Sequence, residues 1–200
     1  MAIPKEIKLV VDKLKKKGFE TYIVGGCVRD FLRKVEPEDW DVATNAKPEE
    51  IQKLFPKSFY ENKFLTVTVQ TESKNPKLKE IEITTYRLEA KYSDKRHPDE
   101  IKFAKTIEED LARRDFTVNA IAMALKIENL KLKIDLIDPF GGQEDLKNKI
   151  IRAVGNPEDR FSEDALRMMR AVRFATTLNF KIEEKTSEAI KKNSSWLRVI

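Results

Sequence analysis

Asp39 and Asp41, two carboxylates at spacing two, follow shortly after a Gly25-Gly26 pair. The first run reads Tyr22-Ile-Val-Gly-Gly-Cys-Val-Arg-Asp30 and the second Pro37-Glu-Asp-Trp-Asp-Val-Ala-Thr44. Side chains alternate along a strand, so two aspartates on one strand point the same way, about 6.6 Å apart along the backbone. Carboxylates at that separation share hard cations such as Mg²⁺, which accept oxygen ligands and bridge to phosphate oxygens. The glycines expose backbone N–H groups, and a helix starting there adds its positive end. Each feature alone has a plain alternative: a tight turn for the glycines, a solvated strand edge for the aspartates. Their order and spacing together point to phosphate and metal chemistry. Cys27 and Asp30 stand where a dinucleotide fingerprint needs glycines, and no Gly-Lys-Ser/Thr is present, which excludes both common phosphate loops.

Two further clusters carry polar chemistry. Arg113-Arg114-Asp115-Phe-Thr-Val-Asn119 places two arginines, an acid and an amide in one short stretch, able to hold phosphate bidentately and bond a ribose. The plain alternative is a surface Arg–Asp pair with Asp115 capping the next helix. In Phe161–Phe174, a helical wheel places Glu163, Arg167, Arg170 and Arg173 on a charged arc, with Asp164 at its edge. Ala165, Met168, Met169, Val172 and Ala175 take the apolar arc. An amphipathic helix with Glu163–Arg167 support accounts for this plainly; the excess of arginines suits a polyanion. An Asp–Arg pair also suits the edges of cytosine and adenine, which present an amine beside an acceptor nitrogen, and so favours CTP and ATP.

The elements that position these residues read as follows. Ile7, Leu9, Val10 and Leu14 predict a helix stopped at Gly18, then a strand over 20–24, a helix over 27–33, the carboxylate strand 40–44 and a helix over 46–55. Strands follow near 64–71 and 80–86, then a long polar loop over 90–100, a short helix over 107–111, and strands near 123–127 and 131–137. The pattern breaks at Asp138-Pro-Phe-Gly-Gly142. Beyond it helices are expected over 144–148, 158–178 and 183–192, which predicts an α/β portion over 1–138 and a helical one over 139–200. The end Trp196–Ile200 is apolar, and Ser194 or Ser195 suits the N-cap of a further helix, so a C-terminal partner segment or chain is expected.

Charged residues make up 36 % of the chain, 39 Lys+Arg against 34 Asp+Glu, a net +5 that permits a nucleic-acid partner without requiring one. Cys27 is the only cysteine, which excludes an internal disulfide framework and suits a reducing compartment. His97 is the only histidine, which argues against a His-rich zinc site and a Ser–His or Cys–His mechanism. No signal peptide and no membrane-length apolar run is seen, so the expected location is cytoplasmic, with no membrane partner.

Taken with their order, these motifs resemble those of class II tRNA nucleotidyltransferases, the CCA-adding enzymes, and the related bacterial poly(A) polymerases. Gly25-Gly26-x-Val-Arg29-Asp30 with Asp39-x-Asp41 is similar to their first catalytic motif, and Arg113-Arg114-Asp115-x-x-x-Asn119 to their ribose-selecting motif. Asp138-Pro-x-Gly141-Gly142 resembles their hinge, and Glu163-Asp164-x-x-Arg167 the amino-acid template that reads the incoming base. The resemblance implies an α+β (mixed α/β) fold: a DNA polymerase beta-like nucleotidyltransferase head with a small mixed or antiparallel sheet over 1–138, followed by an all-helical neck over 139–200. It implies template-independent addition of C and/or A from CTP and ATP to the 3′ end of tRNA by a two-metal mechanism. Asp39 and Asp41 would hold two Mg²⁺ ions, with Glu82 as the candidate third carboxylate. Gly25, Gly26 and Arg29 would bind triphosphate, Arg114, Asp115 and Asn119 the sugar side, and Glu163, Asp164 and Arg167 the base, with Arg170 a further nucleotide-binding residue. The long stretch around 90–100 resembles enzymes that incorporate A. The same-class alternative is a poly(A) polymerase, and the different-class one a non-catalytic RNA- or nucleotide-binding module.

Overall fold

A computed structural model describes residues 1–61, 65–90, 92, 96, 98–128 and 131–198. The elements, in chain order, are α1 (Lys5–Lys15), β1 (Thr21–Val24), α2 (Gly26–Leu32), β2 (Asp41–Thr44), α3 (Pro48–Leu54), β3 (Ser58–Glu61), β4 (Thr66–Gln70), β5 (Glu80–Thr85), β6 (Arg87–Ala90) and β7 (Glu100–Phe103). They continue with α4 (Ile107–Ala112), β8 (Ala122–Glu128), β9 (Lys131–Ile137), α5 (Gly142–Asn148), β10 (Ile150–Ile151), α6 (Pro157–Glu163), α7 (Leu166–Leu178), β11 (Lys181–Ile182) and α8 (Glu184–Asn193). The chain forms two compact units: Met1–Arg87 with Phe103–Asp110 and Ala122–Ile137, and Leu88–Lys102 with Leu111–Ile121 and Asp138–Ile200.

The first unit is built on a seven-stranded sheet of order β3-β4-β5-β2-β1-β8-β9. Only β2 and β5 pair in parallel; every other neighbour is antiparallel. Register places Val67, Ile83, Val42, Ile23 and Met123 opposite one another across β4, β5, β2, β1 and β8. All five are fully buried. Because strand side chains have a period of two, this apolar row forces Asp41 and Glu82, one step away, onto the opposite face. Helix α1 buries Ile7, Val10, Val11 and Leu14. Leu9, expected on the apolar stripe, is 61 % exposed, and Val11 takes its place.

In the second unit, Phe116, Val118, Ile151, Phe161, Met168, Ala171 and Phe174 share one apolar core. The expected all-helical character beyond residue 138 is corrected here: β10 and β11 pair in parallel, Ile150 with Lys181 and Ile151 with Ile182. The expected single helix over 158–178 is also corrected, because it divides into α6 and α7 at Asp164. Asp164 is extended (φ −138°, ψ 104°), and its carboxylate accepts the Leu166 N–H at 2.9 Å. Such a short acidic side chain offers the free N–H groups of the next turn a local partner, which favours a new helix start. Within α7 Arg167 is buried with Met168, Ala171 and Phe174, whereas Met169 and Val172, expected on the apolar arc, are 54 % and 46 % exposed. At the chain's end, Ser194 donates to the Lys191 carbonyl and enters a 3-10 turn over Ser194–Arg198 instead of capping a further α-helix.

The Asp138–Gly142 motif acts as a cap and a close contact within the second unit. Asp138 accepts the N–H groups of Gly142 (2.7 Å) and Gln143 (2.8 Å) at the start of α5. Gly141 has φ 72°, a left-handed conformation that glycine adopts without strain. A Cβ on Gly142 would fall 2.2 Å from the Thr117 carbonyl oxygen and 2.8 Å from Ile121. Gly142→Ala is therefore expected to lower the unfolding free energy by about 1–3 kcal/mol or more, since backbone must yield. Denaturant unfolding checks this, and a loss under about 0.5 kcal/mol, the range of ordinary surface changes, would contradict the contact.

Candidate active site

In the first unit, the β1–β2 hairpin partners Val24 with Asp41, so the chain leaves β1 into Gly25 beside the first residue of β2. Gly25 has φ 80° and ψ −145°, backbone open essentially to glycine alone. Gly26 opens α2, and the nearest group a Cβ there would meet is the Arg29 guanidinium at 3.5 Å. On its other side Asp41 is the parallel register partner of Glu82, so both carboxylates leave the same face of adjacent strands. Asp39 does not lie on the strand, which corrects the alternation argument: β2 begins at Asp41, and Asp39 is exposed in the preceding irregular stretch. Desolvation chiefly, then the charges of Asp39, Glu61 and Glu80, hold the Glu82 carboxyl above its ordinary range. The Asp39 charge thus reaches Glu82, and Glu82 adjoins Asp41.

This oxygen-rich set fits a hard divalent cation of one kind. Among the described residues, no group of three or more His, Cys, Asp or Glu side chains could hold a metal by itself. Mg²⁺, however, is commonly bound by one or two carboxylates, with water and substrate phosphates completing its shell. Asp39, Asp41 and Glu82 suit such a substrate-completed ion better than a closed protein cage. Arg29 spans Asp30 in a two-pronged pair, Nε at 3.0 Å and Nη2 at 2.7 Å, and Arg33 shares the same carboxylate at 3.1 Å. Its fork is thus braced against Asp30.

In the second unit the polar motifs form two linked networks. Asp115 is buried and accepts its neighbour Phe116 N–H at 2.8 Å, Asn119 Nδ2 at 3.2 Å and Arg170 Nε at 2.7 Å. Arg114 Nη1 reaches the Asn119 carbonyl at 3.5 Å. Arg170 also lies over the Phe174 ring, as does Arg173, 5.2 and 4.9 Å from its centre. In the other network, Arg167 donates from Nη1 to Glu163 at 2.9 Å and from Nη2 to the Arg113 carbonyl at 3.1 Å. Arg160 joins it through Glu163 and the Ala112 carbonyl. Burial pushes the Glu163 carboxyl up against the pull of Arg160 and Arg167. Burial likewise raises Asp164, against its bond from the Leu166 N–H and the charges of Arg167, Arg170 and Arg96. Asp164 and Arg167, an acceptor and a forked donor, thus lie within electrostatic reach of each other.

Of the residues expected to act, Gly25, Gly26, Asp39, Asp41 and Glu82 gather in the first unit, and Arg114, Asp115, Asn119, Glu163, Asp164, Arg167 and Arg170 in the second. The charged arc expected on α7 is divided: Arg167 is buried and bonded to Glu163, whereas Arg170 and Arg173 are exposed, Arg170 tied to Asp115 and Arg173 set against the Phe174 ring. Sequence reasoning missed Glu89 and Tyr92. Glu89 pairs with Arg113 at 2.9 Å and accepts the Tyr92 hydroxyl at 2.7 Å. The only local signal was an acid inside the short run Arg87–Ala90, since its partner lies far along the chain. The long loop expected over 90–100 falls partly outside the described residues, as does His97.

A mixed sheet that sets carboxylates beside a strand–glycine–helix turn is the framework of a nucleotidyltransferase head. Residues 21–152 match the poly A polymerase head domain, and the chain belongs to that family. It is 50 % identical over 192 residues to the CCA-adding enzyme of Lactobacillus helveticus, covering 96 % of this chain and 45 % of that protein. With the CCA-adding enzyme of Ligilactobacillus salivarius it shares 48 % over 202 residues, covering 99 % and 47 %. The crystal structure of Bacillus stearothermophilus CCA-adding enzyme in complex with CTP superposes with a TM-score of 0.82 at 40 % identity, covering 99 % of this chain and 46 % of that one. The chain therefore spans less than half the length of these relatives. Among the described residues, no helix is long and apolar enough to cross a membrane.

Asp115→Ala strips a shared acceptor from Arg170, Asn119 and the Phe116 N–H. Discounted for the partial exposure of Arg170, the expected loss of stability is about 2–3 kcal/mol. Chemical denaturation measures it, and an unchanged midpoint would mean that the network is not a structural tie.

Proposed function

We propose that this chain is the nucleotide-handling part of a CCA-adding enzyme, transferring C and A from CTP and ATP to the 3′ end of tRNA. One observation carries this: β2 sets Asp41 between the Gly25 turn and Glu82, on the face opposite the apolar row. The kinship with CCA-adding enzymes, one solved with CTP and another with ATP, supports the choice of substrates. So does a relative solved with a primer tRNA and an ATP analogue.

In this proposal residues 1–138 carry the transfer chemistry and residues 139–200 the main base-reading elements, joined there by the Arg113–Asn119 segment. Gly25 and Gly26 leave backbone N–H groups accessible to the triphosphate, with Arg29 as its adjacent cation. Asp39 and Asp41, with Glu82 beside them, would hold two Mg²⁺ ions. When bound, these ions would lower the proton affinity of the attacking 3′-hydroxyl and offset charge on the departing pyrophosphate. Arg114 and Asn119 offer donors to the ribose, and Asp115 orients Asn119. Asp164 accepts from the exocyclic amine of cytosine or adenine while Arg167 donates to the neighbouring ring acceptor, with Glu163 and the Arg113 carbonyl fixing the fork and Arg170 beside it tied to Asp115. Uracil and guanine present the reversed pattern and are rejected.

The test is extension of a tRNA lacking its 3′ end, with CTP and ATP supplied singly and together. Addition that stops after CCA is expected; a long A tail would point to a poly(A) polymerase, and nucleotide binding without transfer to a non-catalytic module. Asp41→Ala is expected to reduce transfer at least about a hundredfold while the fold persists, because Asp41 lies off the apolar row. Turnover near that of the unaltered chain would defeat the assignment. Chelation of Mg²⁺ with EDTA should stop transfer reversibly. Arg167→Ala should blur CTP-over-UTP preference more than it slows transfer, and an unchanged preference would overturn the base-reading role.

A further inference from the structure

Arg167 is buried, and a buried guanidinium holds its orientation only if its partners hold theirs. One partner is the Glu163 carboxylate, itself shared with Arg160. The other is the main-chain carbonyl of Arg113, at 3.1 Å from Nη2. What fixes that carbonyl is therefore part of what aims Arg167. The Arg113 side chain is only 15 % exposed and pairs with Glu89, whose side chain is 9 % exposed. Glu89 uses Oε1 for Arg113 at 2.9 Å and Oε2 for the Tyr92 hydroxyl at 2.7 Å. We propose that Glu89 and Tyr92 are positioning residues for base selection, bracing Arg113 so that its carbonyl oxygen orients the Arg167 fork. This rests on Arg167 as the base-reading arginine.

Two observations support a connected device over a local ion pair. The Glu89 charge is felt at Glu163, where it opposes the arginines. The Tyr92 hydroxyl senses Glu163 and Arg167 as well as Glu89; burial first, then Glu89, raises its pKa, so it stays a neutral donor. Binding groups must be held within about 0.5 Å and 10–20° of the productive pose, so small shifts of the Arg113 carbonyl reach the base edge. Glu89 itself has no need to touch nucleotide in this arrangement.

The experiment measures binding of CTP and of UTP to this chain with Mg²⁺ present, by calorimetry, for the unaltered chain, Glu89→Gln, Tyr92→Phe, Arg167→Ala and the Glu89→Gln/Arg167→Ala pair. Thermal unfolding midpoints accompany each variant. Glu89→Gln is expected to cut the CTP-over-UTP ratio about tenfold, the coupling usual within one hydrogen-bonded network, with a smaller cut for Tyr92→Phe. Added to Arg167→Ala, Glu89→Gln should change the ratio no further. Tyr92→Phe removes one hydroxyl and carries the test if Glu89→Gln fails to fold. A ratio unchanged in both variants, but lost in Arg167→Ala, overturns the brace and leaves base reading intact. Equal weakening of CTP and UTP also overturns it, since a merely structural pair would do that. A ratio unchanged in Arg167→Ala overturns the base-reading assignment, and this inference with it.

Discussion

Register in the central sheet is the constraint on which the carboxylate site depends. Val67, Ile83, Val42, Ile23 and Met123 form one buried row across five strands, and such a row tolerates no slip. A shift of one residue in β2 would turn Asp41 into the apolar row, where an unpaired charge costs many kcal/mol. Burial of the row thus sets the placement of the acids. Its parallel step, β2 beside β5, requires a crossover, supplied by α3 and the β3–β4 hairpin. That crossover brings Glu82 next to Asp41 although the two are distant in the chain.

The second unit solves its positioning problem with polar ties as well as an apolar core. The Arg113–Asn119 segment is held from three directions within that unit. Gly142 lets α5 approach the Thr117 backbone, and Asp145 of α5 accepts the Thr117 hydroxyl at 2.6 Å. Arg152 pairs with Asp145, and its carbonyl accepts the Thr117 N–H at 3.0 Å. From α7, Arg170 reaches Asp115. Buried polar groups are costly unless each finds a partner, so such networks specify one arrangement sharply.

Much of this was legible in the sequence, for local reasons. Gly18, Gly25 and the Asp138–Gly142 break marked turns because glycine and proline restrict or free the backbone directly. Alternation predicted β5, and strand-like runs predicted β8 and β9, near their observed bounds. The Asp39–Asp41 geometry was misread because Asp39 falls just outside the strand, and the neighbour that matters to Asp41 is Glu82, a pairing no spacing rule contains. Phase was misread on α7 because Met169 and Val172 offer an apolar stripe of their own, whereas the buried one, Met168, Ala171 and Phe174, includes Arg167, whose charge is met by Glu163 and the Arg113 carbonyl. Glu89 was invisible for a related reason: its meaning lies in Arg113, a tertiary partner.

The buried position of Arg167 bears on what α7 is for. A helix with three arginines and no acid, Leu166–Leu178, looks built to attract phosphate. Attraction alone would keep the guanidinium groups in water, where charge acts at long range and orientation is loose. Here Arg167 and Arg170 are bonded to carboxylates, and two of the three cations lie on the Phe174 ring. Neutralised in pairs, they lose most of their value as a general anion trap. What the buried Arg167 gains is direction, because hydrogen bonds strengthen and alternative poses become costly where water is scarce, whereas Arg170 and Arg173 stay exposed. That exchange suits discrimination between base edges, which depends on the angle of a donor fork, better than adhesion to a backbone that repeats the same charge at every step.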